Sequence, residues 1–335
     1  MRAQSLARRI GAVLPKRRSL LLAWACLLVL ATPAGAGNGG VAPVPPASPN
    51  AQAIRDTYWL VLGLTGGIFL LVETALVLFI VRFRRRRRPA TAEGPQIRGH
   101  ARLELLWTLV PVLVLATIAG FVLAKVPAIE SAPTAKAAPG RLEVTVEGRQ
   151  YYWLFHYPDG QVSVDRLVVP VGRVVTLKVV SPDVVHSWWV PALGGKIDAI
   201  PGRTNTTWFR ADRPGTYRGQ CAELCGIEHA LMRAQVEVVR PQAYRAFLAS
   251  HAPGSAAVGR ETFQGVCSKC HGAAGEGKGL APPLQGRTFD QNTATVITEG
   301  IRRMPAVGAG WSQDQVAATI AYLKRRFSQG GARGG

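Results

Sequence analysis

Apart from its initiator, the chain carries only two methionines, Met232 and Met304, and apart from Cys26 only four cysteines. All six fall in two short segments that also hold histidine. One runs C-A-E-L-C-G-I-E-H-A-L-M from Cys221 to Met232; the other opens C-S-K-C-H from Cys267 to His271, with Met304 downstream. Thiolate, thioether and imidazole are the soft and borderline donors that hold copper and haem iron. A chain that uses them almost nowhere else is organised to carry electrons through two metal centres.

The first segment places Cys221, Cys225, His229 and Met232 on one loop, and His186, in S-P-D-V-V-H-S-W-W-V-P, approaches from the same end of the surrounding strands. A blue-copper site needs one thiolate, two imidazoles and a weak methionine. Here there is one thiolate too many, and two thiolates can instead bridge two copper ions that share one unpaired electron. Sharing spreads the geometry change over many bonds and lowers the reorganisation barrier. Two other readings stay open: a Cys221–Cys225 disulfide, permitted outside the cytoplasm, and a structural zinc site, which wants four strong ligands and no methionine.

The second segment is the C-x-x-C-H attachment signature of c-type haem. Cys267 and Cys270 would add across the two vinyl groups and His271 would become an axial ligand. Met304 is the remaining methionine for the opposite face, a pairing that raises the iron potential relative to two histidines. A thioredoxin-like redox pair is disfavoured, because histidine follows directly and no βαβ pattern surrounds the motif. The Pro282-Pro283-Leu284 run should pass beside His271, where a backbone carbonyl can orient its second nitrogen.

These donors need elements to hold them. The net charge of +20 is concentrated in residues 1–36 (+6) and 82–102 (+7), so it orients a membrane protein and does not mark a nucleic-acid binder. Residues 1–36 read as a signal peptide: a basic start, the apolar stretch Leu20 to Leu30, and a small-residue cleavage pattern at Ala34-Gly35-Ala36. An uncleaved first helix, or a lipoprotein role for Cys26, are the alternatives. After a Pro/Gly/Ala-rich tether (37–50), Tyr58 to Val81 and Leu105 to Ala124 are long enough to cross a hydrocarbon layer of about 30 Å. The arginine run at 82–88 puts the loop between them in the cytoplasm. Glu73 is the one charge inside the first span and must meet a protein partner or be protonated. Residues 127–139 read as a linker.

From Arg141 the apolar period becomes two. Leu142 to Val146, Val174 to Ser181, Thr206 to Phe209, Thr216 to Gln220 and Ala234 to Val239 read as short strands of a β-sandwich or Greek-key barrel spanning 139–240. A helix over Pro241 to His251 leads to a hinge at Ala252 to Ser255. Residues 255–330 are helical and Gly-rich, a separate domain with a last helix capped by Ser312. With its C-x-x-C-H motif the segment resembles a class I cytochrome c, a resemblance that implies a crossing of Phe263 on the first helix with Tyr322 or Leu323 on the last. Lys324, Arg325 and Arg326 are either a docking face for an acidic partner or a solvated helix end.

On these motifs the chain from Tyr58 to Arg240 resembles subunit II of a haem–copper cytochrome c oxidase. The carrying segments are C-A-E-L-C-G-I-E-H-A-L-M and H-S-W-W-V-P-A-L-G-G-K-I-D-A-I-P-G-R. Ala256 to Phe327 resembles a class I cytochrome c, so the whole looks like a caa-type fusion. The fold implied is a hairpin of two transmembrane α-helices, then an all-β cupredoxin barrel, then an all-α cytochrome c domain. The resemblance implies dinuclear copper A ligands at His186, Cys221, Cys225, His229, Met232 and the backbone carbonyl of Glu223. It also implies a magnesium ion shared with subunit I through the Glu223 side chain, and a proton-path mouth at Glu104, which could equally be a solvated helix end. One departure stands out: Tyr151 occupies the position of the tryptophan through which the family is thought to receive electrons.

The resulting expectation is a subunit of a respiratory oxidase in the bacterial inner membrane, with its metal domains on the periplasmic side. Electrons would pass from covalent haem c to dinuclear copper and then to haem in subunit I for oxygen reduction coupled to proton transport. Expected partners are subunits I and III, membrane lipid, and a donor such as soluble cytochrome c or a bc complex. Tethering of the cytochrome domain would raise its effective concentration to roughly millimolar. The rivals are another copper A enzyme, such as nitrous oxide or nitric oxide reductase, and a membrane-anchored carrier of electrons or metal.

Overall fold

The structure, a computed structural model, describes residues 43–83, 96, 98–133, 140–279 and 281–328. The expected signal peptide, Cys26 and the arginines at 84–88 lie outside the described residues.

Two long helices come first, α1 (Pro49–Phe83) and α2 (Ala101–Glu130), both apolar and without burial along their central stretches. Their side chains have no core to enter, which is the pattern of a surface meant for hydrocarbon. Each is longer than the apolar run it contains. Residues 46–50, expected in a tether, pack on the β-domain: Asn50 is buried and its Nδ2 donates to the Trp208 carbonyl at 2.6 Å. The expected linker also begins late. Helix α2 runs through Pro127, whose carbonyl accepts the Ser131 N–H at 3.0 Å, and the Ile129 carbonyl accepts Trp208 Nε1 at 3.1 Å. Trp208 is therefore gripped by both helices. Lys125 and Asp56 join the helices by an ion pair of 3.1 Å.

Ten strands follow: β1 (Leu142–Arg149), β2 (Tyr152–His156), β3 (Val162–Val164), β4 (Arg166–Pro170), β5 (Val174–Val180), β6 (His186–Trp189), β7 (Ile197–Ala199), β8 (Asn205–Arg210), β9 (Gly215–Cys221) and β10 (Arg233–Val239). They form two five-stranded sheets in the orders β3-β2-β1-β5-β8 and β4-β10-β9-β6-β7. The pairs β1–β5 and β4–β10 are parallel, the others antiparallel. Between the sheets lies a core of Val144, Val146, Trp153, Phe155, Leu167, Leu177, Trp188 and Val236. The five strands read from alternation are all present.

Helix α3 (Pro241–Ser250) closes this core with Tyr244 and Phe247. The C-terminal region contains α4 (Ala256–Thr262), a π-helical turn (Phe263–Cys267), α5 (Ser268–His271), α6 (Gln291–Glu299) and α7 (Gln313–Phe327). Ser312 caps α7, accepting from the Gln315 N–H at 3.2 Å, as expected. Phe263 meets Tyr322 and Phe327 at centroid separations of 5.4 and 5.1 Å. The crossing is close because residue 259 is glycine: an added Cβ there would strike the Ala318 carbonyl. Gly259→Ala should cost about 2 kcal/mol through overpacking, read as a lower thermal midpoint of the haem band.

The expected hinge at 252–255 leads to a docked domain. Tyr152, Leu154, Val162 and Val164 share one buried cluster with Val258, Phe263, Val266, Trp311, Val316 and Phe327. Tyr152 Oη donates to the Val307 carbonyl at 2.7 Å and accepts from Trp311 Nε1 at 3.0 Å. The helical region thus lies directly on the outer face of β2 and β3, and residues from Pro46 onward make one unit.

Candidate metal centres

Strand pairing brings the sulfur and imidazole donors together. Strand β6 pairs with β9 in the register Trp188↔Cys221, and β9 pairs with β10 through Gln220↔Arg233. His186, which opens β6, therefore lies beside Cys221, where the chain leaves the sheet. The loop 221–232 returns on itself, with Cys221 N–H donating to the Met232 carbonyl at 2.9 Å.

One ligand atom from each of His186, Cys221 and Cys225 falls within 4.8 Å of the others. Cys221 Sγ is 3.9 Å from Cys225 Sγ, 4.0 Å from His186 Nδ1 and 3.3 Å from the Glu223 carbonyl. Cys225 Sγ is 3.5 Å from His229 Nδ1 and 3.8 Å from Met232 Sδ. The Glu223 residue is exposed, whereas Met232 is fully buried. Both cysteines are free, and their separation is well beyond the ~2.05 Å of a disulfide. Two thiolates, two imidazoles, a thioether and a carbonyl around one small volume fit a pair of copper ions; a zinc site would leave the buried thioether without a role.

Charge within the cluster is uneven. Burial pushes both thiols up, but for Cys221 the facing His186 ring outweighs it and brings the thiol down to about 7. Burial and the neighbouring Cys221 charge push Cys225 up. Binding metal must therefore expel a proton from Cys225.

Asp183 is a participant the sequence did not disclose. Its Oδ1 accepts from His186 Nε2 at 2.8 Å, so the ring presents Nδ1 to the sulfurs. Burial raises the Asp183 carboxyl, yet His186 and the backbone N–H groups of Gln150 and Val184 hold it down at about 2. A carboxylate three residues before a candidate ligand histidine was the available signal. Asp183→Asn should weaken copper affinity about 10- to 100-fold, measured by chelator competition.

The second motif sits on the π-helical turn and α5. Cys267 is half-buried, Cys270 exposed and His271 buried. His271 Nδ1 donates to the Pro282 carbonyl at 2.8 Å, the contact expected from the proline run. That bond fixes the tautomer and leaves Nε2 with the lone pair an iron ligand needs, so the residues present fit a haem. Met304 is half-buried on a separate turn, closed by paired bonds with Ile301 of 3.0 and 2.9 Å.

Glu104 lies exposed in the first turn of α2, where Oε1 accepts the His100 N–H at 3.0 Å. Lys324, Arg325 and Arg326 are exposed at the end of α7, where they also complement the helix dipole. The aromatic run divides its duties. Tyr151 packs against Gly226 of the cysteine loop, Tyr152 faces the helical region, and Trp153 lies edge-on to His186 at 6.0 Å.

An apolar helix pair, a β-sandwich carrying a sulfur–imidazole cluster, and a helical domain with a haem-attachment motif define a membrane-anchored redox subunit. Comparison with known proteins agrees. Residues 40–124 match the model for the cytochrome c oxidase subunit II transmembrane domain, and 160–239 that for its periplasmic domain. Residues 254–323 match the model for cytochrome c oxidase, cbb3-type, subunit III. Cytochrome c oxidase subunit 2 of Alkalihalophilus pseudofirmus is 32% identical over 320 residues, covering 86% of this chain and 91% of that protein. The Cereibacter sphaeroides protein of the same name is 34% identical over 249 residues, covering 63% and 80%. The crystal structure of the periplasmic domain of subunit II of cytochrome oxidase from Bradyrhizobium japonicum is 35% identical. It covers 33% of this chain and 92% of that one, with a TM-score of 0.32. The chain belongs to the cytochrome c oxidase subunit 2 family and carries a C-terminal cytochrome c domain. It is a subunit of a cytochrome c oxidase, a membrane protein with an extracytoplasmic domain, and its family implies copper and haem c.

Proposed function

We propose that this chain takes electrons in on its cytochrome c domain and delivers them, by way of the cysteine loop, to haem in subunit I, for oxygen reduction coupled to proton transport. When bound, a covalent haem c and a dinuclear copper A would supply reversible one-electron chemistry. Cys267 and Cys270 would hold the haem covalently, and His271 and Met304 would supply its iron with nitrogen and sulfur donors. His186, Cys221, Cys225, His229, Met232 and the Glu223 carbonyl would hold the coppers, and the Glu223 side chain a magnesium ion shared with subunit I. Asp183 orients His186, and the Pro282 carbonyl orients His271. Glu104, at the start of α2, would open a proton path. The setting is the bacterial inner membrane, with both metal domains periplasmic, subunits I and III as neighbours, and a soluble cytochrome c or bc complex as donor.

The observation that carries this reading is the convergence of both thiols, both imidazoles and the Met232 sulfur at one end of the sandwich. The test is metal analysis with visible spectroscopy on the purified chain. Two coppers and one haem per chain are expected; a single metal ion or none in the sandwich, beside intact haem bands, refutes it.

A further inference from the structure

The two metal segments meet over the turn between β1 and β2. Lys269, between the haem cysteines, donates from Nζ to the Tyr151 carbonyl at 2.7 Å and pairs with Asp165 Oδ2 at 2.7 Å. Asp165 adopts φ of 57°, a left-handed conformation that aspartate tolerates better than most residues. From there its other oxygen also accepts the Trp153 N–H at 2.8 Å. On the opposite side, Gln150 Nε2 donates to the Cys225 carbonyl at 2.5 Å, and Gln150 N–H donates to Asp183 at 2.8 Å. Gly226 leaves the space that the Tyr151 ring fills; a Cβ there would strike Tyr151 and Gln150. The turn is thus held from one face by a residue of the haem motif and from the other by a ligand of the cysteine loop.

We propose that the Gln150–Tyr151 turn is a bridge between the two redox segments, with Lys269 and Gln150 as the positioning residues that clamp it. The inference rests on the electron-intake reading above and adds a route to it. Electron tunnelling decays less steeply along covalent and hydrogen bonds than across gaps, and two clamps 2.7 and 2.5 Å long remove the gaps on either side. The transfer is of one electron alone: the donor segment's iron is oxidised by one unit, the acceptor copper pair is reduced by one, no bond forms or breaks, and Lys269 keeps its protons. The bridge uses the Tyr151 carbonyl, which any residue supplies. This accounts for tyrosine at a position where the family places tryptophan: with the donor clamped to the main chain, the ring is released from that duty.

The test is flash-induced electron transfer within the full-length, metal-loaded chain, followed at the haem and copper bands. Its companions are equilibrium potentials and hydrogen exchange of residues 148–165 and 262–272. Lys269→Met and Gln150→Leu should each slow transfer at least about ten-fold, since small misplacements between reacting groups are costly. Potentials and metal content should stay unchanged, and exchange should rise on both sides of the turn in Lys269→Met. Lys269→Arg, which keeps a donor, should recover to within about two-fold, and Tyr151→Phe, which keeps the carbonyl, should match wild type. Unchanged rates in both clamp variants would overturn the bridge alone. So would a Tyr151→Phe loss as large as that of Lys269→Met, which would hand the route to the ring. A wild type that holds both centres yet passes no electron between them would overturn the electron-intake reading, and the bridge with it.

Discussion

Cys221→Ser will drop the copper content of the purified chain from about two ions to at most one, and bleach the copper absorption, while the sandwich stays folded. Cys221 is 2% exposed, and its sulfur lies within 4.0 Å of Cys225 Sγ, His186 Nδ1 and the Glu223 carbonyl. It is also the thiol that His186 and the backbone around Glu223 and Ser187 bring down against burial. Serine is nearly the same size, but its hydroxyl is a hard donor that keeps its proton. Removing one sulfur therefore removes a shared ligand without opening a cavity, and the stability of the copper-free chain should change by less than about 1 kcal/mol. Elemental analysis of the loaded chain and a thermal melt of the copper-free chain check the two halves. A serine variant that retains two coppers would refute bridging by Cys221.

Glu261→Gln will loosen the joint between the sandwich and the cytochrome domain, costing about 2 kcal/mol at neutral pH. Glu261 is buried on α4, where it meets Arg166 of β4, the Val164 N–H at 3.4 Å, and His251 Nε2 at 3.2 Å. Arg166 also reaches Glu237 at 2.7 Å. The figure is below that for a fully buried pair because the Arg166 side chain is 34% exposed. Burial raises the Glu261 carboxyl, but His251 and Arg166 outweigh it and hold it below its ordinary value of 4.5. A carboxylate with a depressed folded pKa stabilises fully above its unfolded value and loses that contribution as pH falls through the folded one. The gap between wild type and Glu261→Gln, measured by denaturant unfolding of copper-free, haem-bearing chain, should be constant above about pH 5 and close below pH 4. A gap independent of pH from 7 to 3 would refute the electrostatic account.

Alternation is clearest in β1 and β10, each of which buries one face. Strand β2 escaped it because both its faces are covered: Trp153 and Phe155 enter the sandwich core, while Tyr152 and Leu154 lie under the cytochrome domain. A strand buried on both sides reads as a continuous apolar run and gives no period of two. Strand β3 is short and shares that covered face through Val162 and Val164. The candidate ligand residues were legible because metal chemistry restricts residue type and spacing, so Cys221 to Met232 and Cys267 to His271 stand out locally. Asp183, Asp165, Gln150 and Lys269 are common polar residues, and only the folded chain brings them to their partners. The expected hinge failed for the same reason. Ala252 to Ser255 has the composition of a flexible joint, but what lies beyond it is fixed by side chains on β2 and β3.

Tyr152, tucked beneath Trp311 and bonded to the Val307 carbonyl, bears on the kinetics of the proposed internal hand-over. An oily, dehydrated seam is almost indifferent to ionic strength, whereas attraction between exposed charges fades once they are separated by more than a Debye length of about 8 Å. On the proposed electron-intake reading, passage inside this molecule would be first-order and insensitive to brine, and any dependence on salt or carrier concentration would belong to the preceding collision with the outside reductant.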